Sequence, residues 1–81
     1  MLELFGSSGC PYTQEMREWL EFGRREFIEF DVDADPAAFT RMCSATGQRM
    51  VPVLLEDGHV VQIGWQGRGC VVGAAARVGH A

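Results

Sequence analysis

The sequence predicts an α/β domain in which a mixed sheet of four strands is flanked by helices. Three observations predict it. Apolar runs and helix-spaced apolar stripes follow one another in the order strand, helix, strand, helix, strand, strand. Two helix starts are written locally, as Cys10-Pro11 and Asp35-Pro36. Asp57-Gly58 stands between two apolar runs, the strongest short-range signal for a hairpin. A strand–helix–strand opening implies a parallel pair joined by a right-handed crossover, and the hairpin adds an antiparallel edge.

The elements follow in order. Leu2 to Phe5 reads as a short strand, and Gly6-Ser7-Ser8-Gly9 as the loop after it. Cys10-Pro11 opens a helix, because proline at the first helical position gives up no hydrogen bond. Tyr12, Met16, Trp19 and Leu20 form its apolar stripe, with Met16 and Trp19 expected in the core. Glu15, Glu18 and Glu21 form a solvated face, and Gly23 stops the helix. Phe27 to Val32 is a second strand. Asp35 caps a second helix that starts at Pro36, carries Phe39, Met42, Cys43 and Thr46 on one face, and closes at Gly47. Val53-Leu54-Leu55 and Val60-Val61-Gln62-Ile63 form the hairpin. Residues 71–81 are Gly/Ala-rich and weakly patterned, readable as a short final helix or a loose tail. With no repeat and no linker, residues 1–81 read as a single domain.

Composition narrows the function. The chain has 81 residues, 47% of them hydrophobic, which supports a thin but real core. Its net charge is -4, and all seven basic residues are arginines. That balance argues against nucleic acid or an anionic membrane as partner, and the lack of lysine removes Schiff-base chemistry. No run approaches the roughly 18 apolar residues of a membrane span. Met1-Leu2-Glu3-Leu4-Phe5 lacks the basic and apolar regions of a secretory leader. Three cysteines are an odd and sparse set for a secreted scaffold. A reducing cytoplasm is the expected setting, where free thiols are buried, metal-bound or catalytic.

Cys10 carries the chemistry. It stands at a loop–helix junction, where unpaired backbone N–H groups favour an anion. A thiolate there has its pKa lowered from about 8.5 into the range of roughly 3.5–7.5, and thiolate is the nucleophile of thiol–disulfide exchange. Thr13, three residues on, is positioned to donate a hydrogen bond to the sulfur. Pro52 precedes the apolar run of the third strand. A cis Val51–Pro52 bond there turns the Val51 backbone toward an incoming chain, whereas a trans bond makes it an ordinary strand start.

Gly6-Ser7-Ser8-Gly9-Cys10-Pro11-Tyr12-Thr13 resembles the active-site loop of glutaredoxins, whose usual form is Cys-Pro-Tyr-Cys. Met50-Val51-Pro52 resembles their Thr-Val-Pro segment, and Ile63-Gly64-Trp65 falls at their Gly-Gly turn. The chain resembles in particular the UXX-star group of glutaredoxin-like proteins, many of which carry selenocysteine where this chain has Cys10. The resemblance implies a thioredoxin-like fold of the glutaredoxin type and a thiol–disulfide oxidoreductase serving cell redox homeostasis and electron transport. It makes Cys10 the nucleophile, Tyr12 the pocket wall, Val51 with Pro52 the substrate rest, and Pro11 a further substrate-binding residue. Gly64 and Trp65 then lie beside the substrate groove. The implied substrate is a disulfide-containing protein or a glutathione mixed disulfide, with glutathione as co-substrate and no bound cofactor.

Three departures from the family pattern matter. Thr13 replaces the second cysteine, which leaves a monothiol route through a Cys10 mixed disulfide. Ser7 stands where glutaredoxins commonly carry a basic residue, which weakens the case for glutathione. Gly64-Trp65-Gln66-Gly67-Arg68 lacks the Gly-Gly-x-x-Asp pattern, and a Gly followed by an aromatic is closer to redoxins served by thioredoxin reductase.

Cys70, in Gly67-Arg68-Gly69-Cys70, has two readings: resolver of a Cys10 intermediate, or a residue packing the last helix. Cys43 reads as inert core. His59 reads as a solvent-side strand residue and His80 lies in the tail. No His or Cys spacing suits mononuclear zinc, so no metal is expected. Pro11 also disfavours the cluster-bridging use seen with Cys-Gly-Phe-Ser. Two functions stand: an oxidoreductase acting through Cys10, or an adaptor module that keeps the fold without turnover.

Overall fold

Alternation along the first strand decides how the layers form. The computed structural model describes residues 1–73, beginning with β1 (Leu2–Gly6), α1 (Pro11–Phe22), β2 (Phe27–Asp31) and α2 (Pro36–Thr46). They are followed by β3 (Met50–Val51), β4 (Val53–Glu56), β5 (His59–Ile63) and β6 (Cys70–Val71). The main sheet runs in the order β2-β1-β4-β5. β1 pairs parallel with β2, with Leu2 opposite Phe27, and antiparallel with β4, with Leu4 opposite Leu54. The expected α/β class and mixed four-stranded sheet are therefore present.

Successive side chains of a strand point to opposite faces. Leu2 and Leu4 therefore join Leu54 and the α1 residues Met16 and Leu20 in one apolar cluster. Phe5 joins Val53, Leu55 and the α2 residues Ala38 and Met42 in the other. The sheet is thus covered by α1 on one face and α2 on the other. Met16 is fully buried as expected, but Trp19 is not core: it is half exposed and tilts against the Trp65 ring with centroids 5.6 Å apart. At its angle on α1 it reaches the rim of the sheet, where β5 leads into the next turn. No helix among the described residues is long and apolar enough to cross a membrane.

Local signals set the helix ends. Asp35 caps α2, its carboxylate accepting from the Ala38 N–H at 3.1 Å, with Pro36 at the first helical position. Gly47 ends it in the left-handed region at φ 72°, its N–H donating to the Cys43 carbonyl at 2.7 Å. We expect Asp35→Ala to cost about 1 kcal/mol and to lower Tm by roughly 4–8 °C. Thermal unfolding followed by circular dichroism reads this, and an unchanged Tm would mean that Pro36 alone sets the helix start. The β4–β5 turn is the expected one, with Asp57 and Gly58 both at positive φ.

The sequence reading lacked two short strands. β3 and β6 pair antiparallel, Met50 opposite Val71 and Val51 opposite Cys70. A second tight turn delivers β6. Trp65 and Arg68 exchange backbone hydrogen bonds across Gln66-Gly67, both at positive φ. Gly67-Arg68-Gly69 is thus part of a built turn and not an open loop. Val71, expected in a final helix or tail, belongs to a strand, and Val72 is buried in the α2-side core. The rest of that expectation, residues 74–81, lies outside the described residues.

Candidate active site

Cys10 is the N-cap of α1, in extended conformation, with its N–H donating to the Ser7 carbonyl at 3.1 Å. Pro11 takes the first helical position, so the helix begins immediately after the sulfur-bearing residue. Cys10 is buried, 3% exposed. Its sulfur is bonded to Cys70 in a disulfide with Cα atoms 6.0 Å apart and a sequence separation of 60. The same sulfur stands 4.0 Å from the Val51 carbonyl oxygen. The Val51–Pro52 peptide is cis, and both residues are buried. Cys10, Cys70, Val51 and Pro52 therefore meet at one place, the end of the sheet where the N-terminus of α1 faces the β3–β6 pair. Cys43 is the free cysteine, half-buried against the α2-side core.

A groove of about 640 Å³ opens beside the disulfide. Val32, Phe39 and Val72 supply apolar wall, and Ser7 and Asp33 supply polar rim. The Ser7 hydroxyl donates to the Asp33 carboxylate across that rim. Asp33 is the one charged residue among the described residues lining the groove. The site is thus an apolar slot with a negative edge, and the Ser7 hydroxyl on that edge is already engaged.

The glutaredoxin family model matches residues 2–61. The chain belongs to the glutaredoxin family. Among its relatives is a glutaredoxin-like 8.6 kDa protein in a rubredoxin operon of Clostridium pasteurianum, 26% identical over 61 residues, covering 75% of this chain and 81% of that protein. The crystal structure of the thioredoxin-like protein BC3987 superposes with a TM-score of 0.70 at 30% identity, over 75% of this chain and 84% of that one. The glutaredoxin of Archaeoglobus fulgidus gives a TM-score of 0.69 at 21% identity, over 76% and 73% of the two chains. A buckwheat glutaredoxin solved with glutathione gives 0.66 at 20% identity, over 76% and 59%. The fold is thioredoxin-like, as the resemblance implied.

The other residues read as functional from the sequence are Thr13, Tyr12, Gly64 and Trp65. Thr13 is fully buried, and its hydroxyl accepts from the Ser7 N–H at 3.3 Å, bracing the active-site loop from beneath. It packs so closely on Gly6 that a side chain there would collide with it. Tyr12 is half-buried against the α2-side core and does not line the groove. Gly64, at φ 81°, donates its N–H to the Pro52 carbonyl at 2.7 Å. Trp65 lies on the α1 side, with its indole N–H donating to Glu15 at 2.9 Å, and is not among the groove residues.

Asp33 and Val72 were missed by the sequence reading. Asp33 carries no motif; only the fold brings it opposite Ser7. Val71-Val72, a β-branched pair after a Gly-containing turn, was the available signal for β6.

Proposed function

We propose that this glutaredoxin-family chain is a thiol–disulfide oxidoreductase in which Cys10 attacks and Cys70 resolves. The observation that carries the reading is the Cys10–Cys70 disulfide at the N-terminus of α1, beside Val51 and Pro52. In the reduced protein the Cys10 thiolate attacks one sulfur of a substrate disulfide. A mixed disulfide forms on Cys10, and the other substrate sulfur leaves as thiolate. That step is monothiol in kind, since Thr13 offers no sulfur. The Cys70 thiolate then attacks the Cys10 sulfur, releases the second substrate thiol and closes the internal disulfide. The two protons given up by the cysteines end on the two substrate thiols. Two electrons from an external dithiol donor or from glutathione reopen the bond.

The engaged Ser7 and the negative rim at Asp33 favour a protein disulfide over glutathione as substrate, and thioredoxin reductase or a similar dithiol system as donor. With such a donor, the reading carries a reducing cytoplasm as its setting and cell redox homeostasis as its role.

The test is intact mass after brief exposure of the reduced protein to oxidised glutathione and, separately, to a protein disulfide, with the modified cysteine mapped. A transient adduct on Cys10 that gives way to an internal Cys10–Cys70 bond supports the mechanism. A stable glutathione adduct removed only by free glutathione would replace Cys70 by glutathione as the resolver. A protein left unmodified by both oxidants would favour the adaptor reading.

A further inference from the structure

β6 delivers Cys70 to Cys10 by a defined route: two residues of strand paired on the free edge of β3, in the register Val51 opposite Cys70. The Val72 N–H donates to the Arg49 carbonyl at 2.8 Å and extends that pairing by one residue. Any external cysteine brought to the same sulfur along the same edge meets the same walls, so β6 records the shape of the site around a bound cysteine.

The position before the cysteine is tight. A Cβ on Gly69 would lie 2.6 Å from Met50 Cγ and 2.7 Å from the Val51 carbonyl oxygen, the latter an unyielding backbone atom. The position after it is open, since Val71 is 66% exposed. The second position after it is an apolar socket. Val72 is 7% exposed, within the cluster that holds Val32, Ala38 and Met42. This alternation of out and in is that of a strand on a pleated edge.

The resemblance already makes Val51 and Pro52 the substrate rest; from these contacts we infer that the β3 edge selects among extended polypeptides for glycine before the reactive cysteine, any residue after it, and an aliphatic residue at the second position after it. The chain's own Gly69-Cys70-Val71-Val72 occupies this site when Cys10 and Cys70 are bonded, and a substrate strand displaces it. The inference rests on the proposal that Cys10 is the attacking thiol, and adds to it the sequence class of the substrate.

The experiment uses full-length Cys70→Ser protein and blocked tetrapeptides carrying their cysteine as a mixed disulfide with 5-thio-2-nitrobenzoate. Cys10 attacks the peptide sulfur, the peptide becomes disulfide-bonded to Cys10, and the coloured aryl thiolate leaves, being the more acidic thiol. Release of colour gives the rate, and mass mapping gives the site. Gly-Cys-Val-Val is expected to transfer at least about tenfold faster than Leu-Cys-Val-Val and than Gly-Cys-Val-Asp, because one loses the close approach and the other the buried side chain. The same glutathione derivative is expected among the slow group. A second protein, Cys70→Ser with Gly69→Ala, is expected to accept all peptides faster with the ranking unchanged, since its own strand is pushed off the edge. Equal rates for all peptides on Cys10 would overturn the inference and leave Cys10 as nucleophile. Absence of any Cys10 adduct would instead remove the nucleophile assignment on which the inference rests.

Discussion

Full-length protein carrying Cys70→Ser is expected to stop at the Cys10 mixed disulfide, and protein carrying Cys10→Ser to form none. The two sulfurs are bonded in the folded chain, so no rearrangement of β1, α1 or β4 stands between intermediate and product. A tethered group of this kind acts at an effective concentration on the order of millimolar or above. With external thiol held at about a tenth of that concentration, losing the tethered thiol should slow turnover at least about tenfold. The one-to-one adduct should accumulate over the same interval. Cys10→Ser should fall to the uncatalysed rate, because a hydroxyl is not ionised near neutral pH and does not exchange with disulfides. Cys43→Ser should stay within about twofold of wild type, since Cys43 stands outside the disulfide and packs against the α2-side core. Turnover and intact mass followed together check all three. Normal turnover in Cys70→Ser without an adduct would refute the resolving role.

The oxidised protein should be far more heat-stable than the reduced one. The disulfide closes a loop with a sequence separation of 60. Loop-closure entropy for that length corresponds to about 4 kcal/mol at 25 °C, set in the unfolded chain. A domain of this size has a total stability of roughly 4–12 kcal/mol, so the bond is a large fraction of the whole. At about 4–8 °C for each kcal/mol, oxidation should raise Tm by roughly 15–30 °C. The double variant Cys10→Ser, Cys70→Ser should melt with the reduced protein, in the presence or absence of reductant, which separates the bond from the chemical that breaks it. Scanning calorimetry on the three forms provides the measurement. A difference under about 5 °C would mean that strain in the closed form offsets the entropy gain.

The parts of the fold legible in the sequence are those specified by adjacent residues. Cys10-Pro11 and Asp35-Pro36 start helices where expected, and Asp57-Gly58 makes its turn, because each is fixed by a backbone dihedral or a cap within a few residues. Cys10 was legible for the same reason. The β3–β6 pair was not. Each strand is two residues long, too short for alternation to show, and the partners lie some twenty residues apart in sequence. Trp65 was read as beside the groove because it follows Gly64, yet its ring is drawn to the α1 side by Trp19 and Glu15, two contacts invisible from its own neighbours. Cys70 was readable as a candidate, but its partner was fixed only by the turn at Gln66-Gly67 that aims it back toward α1.

The position of the disulfide along the chain has a topological consequence. The covalent ring from Cys10 to Cys70 contains β2, β4 and β5, while β1 lies wholly outside it. β1 is nevertheless the strand that stands between β2 and β4. The ring thus holds the two outer portions of the sheet without the piece that joins them. The strand that makes the sheet continuous is joined covalently to the ring only through Cys10, and its hold on both sides rests on backbone hydrogen bonds to β2 and β4.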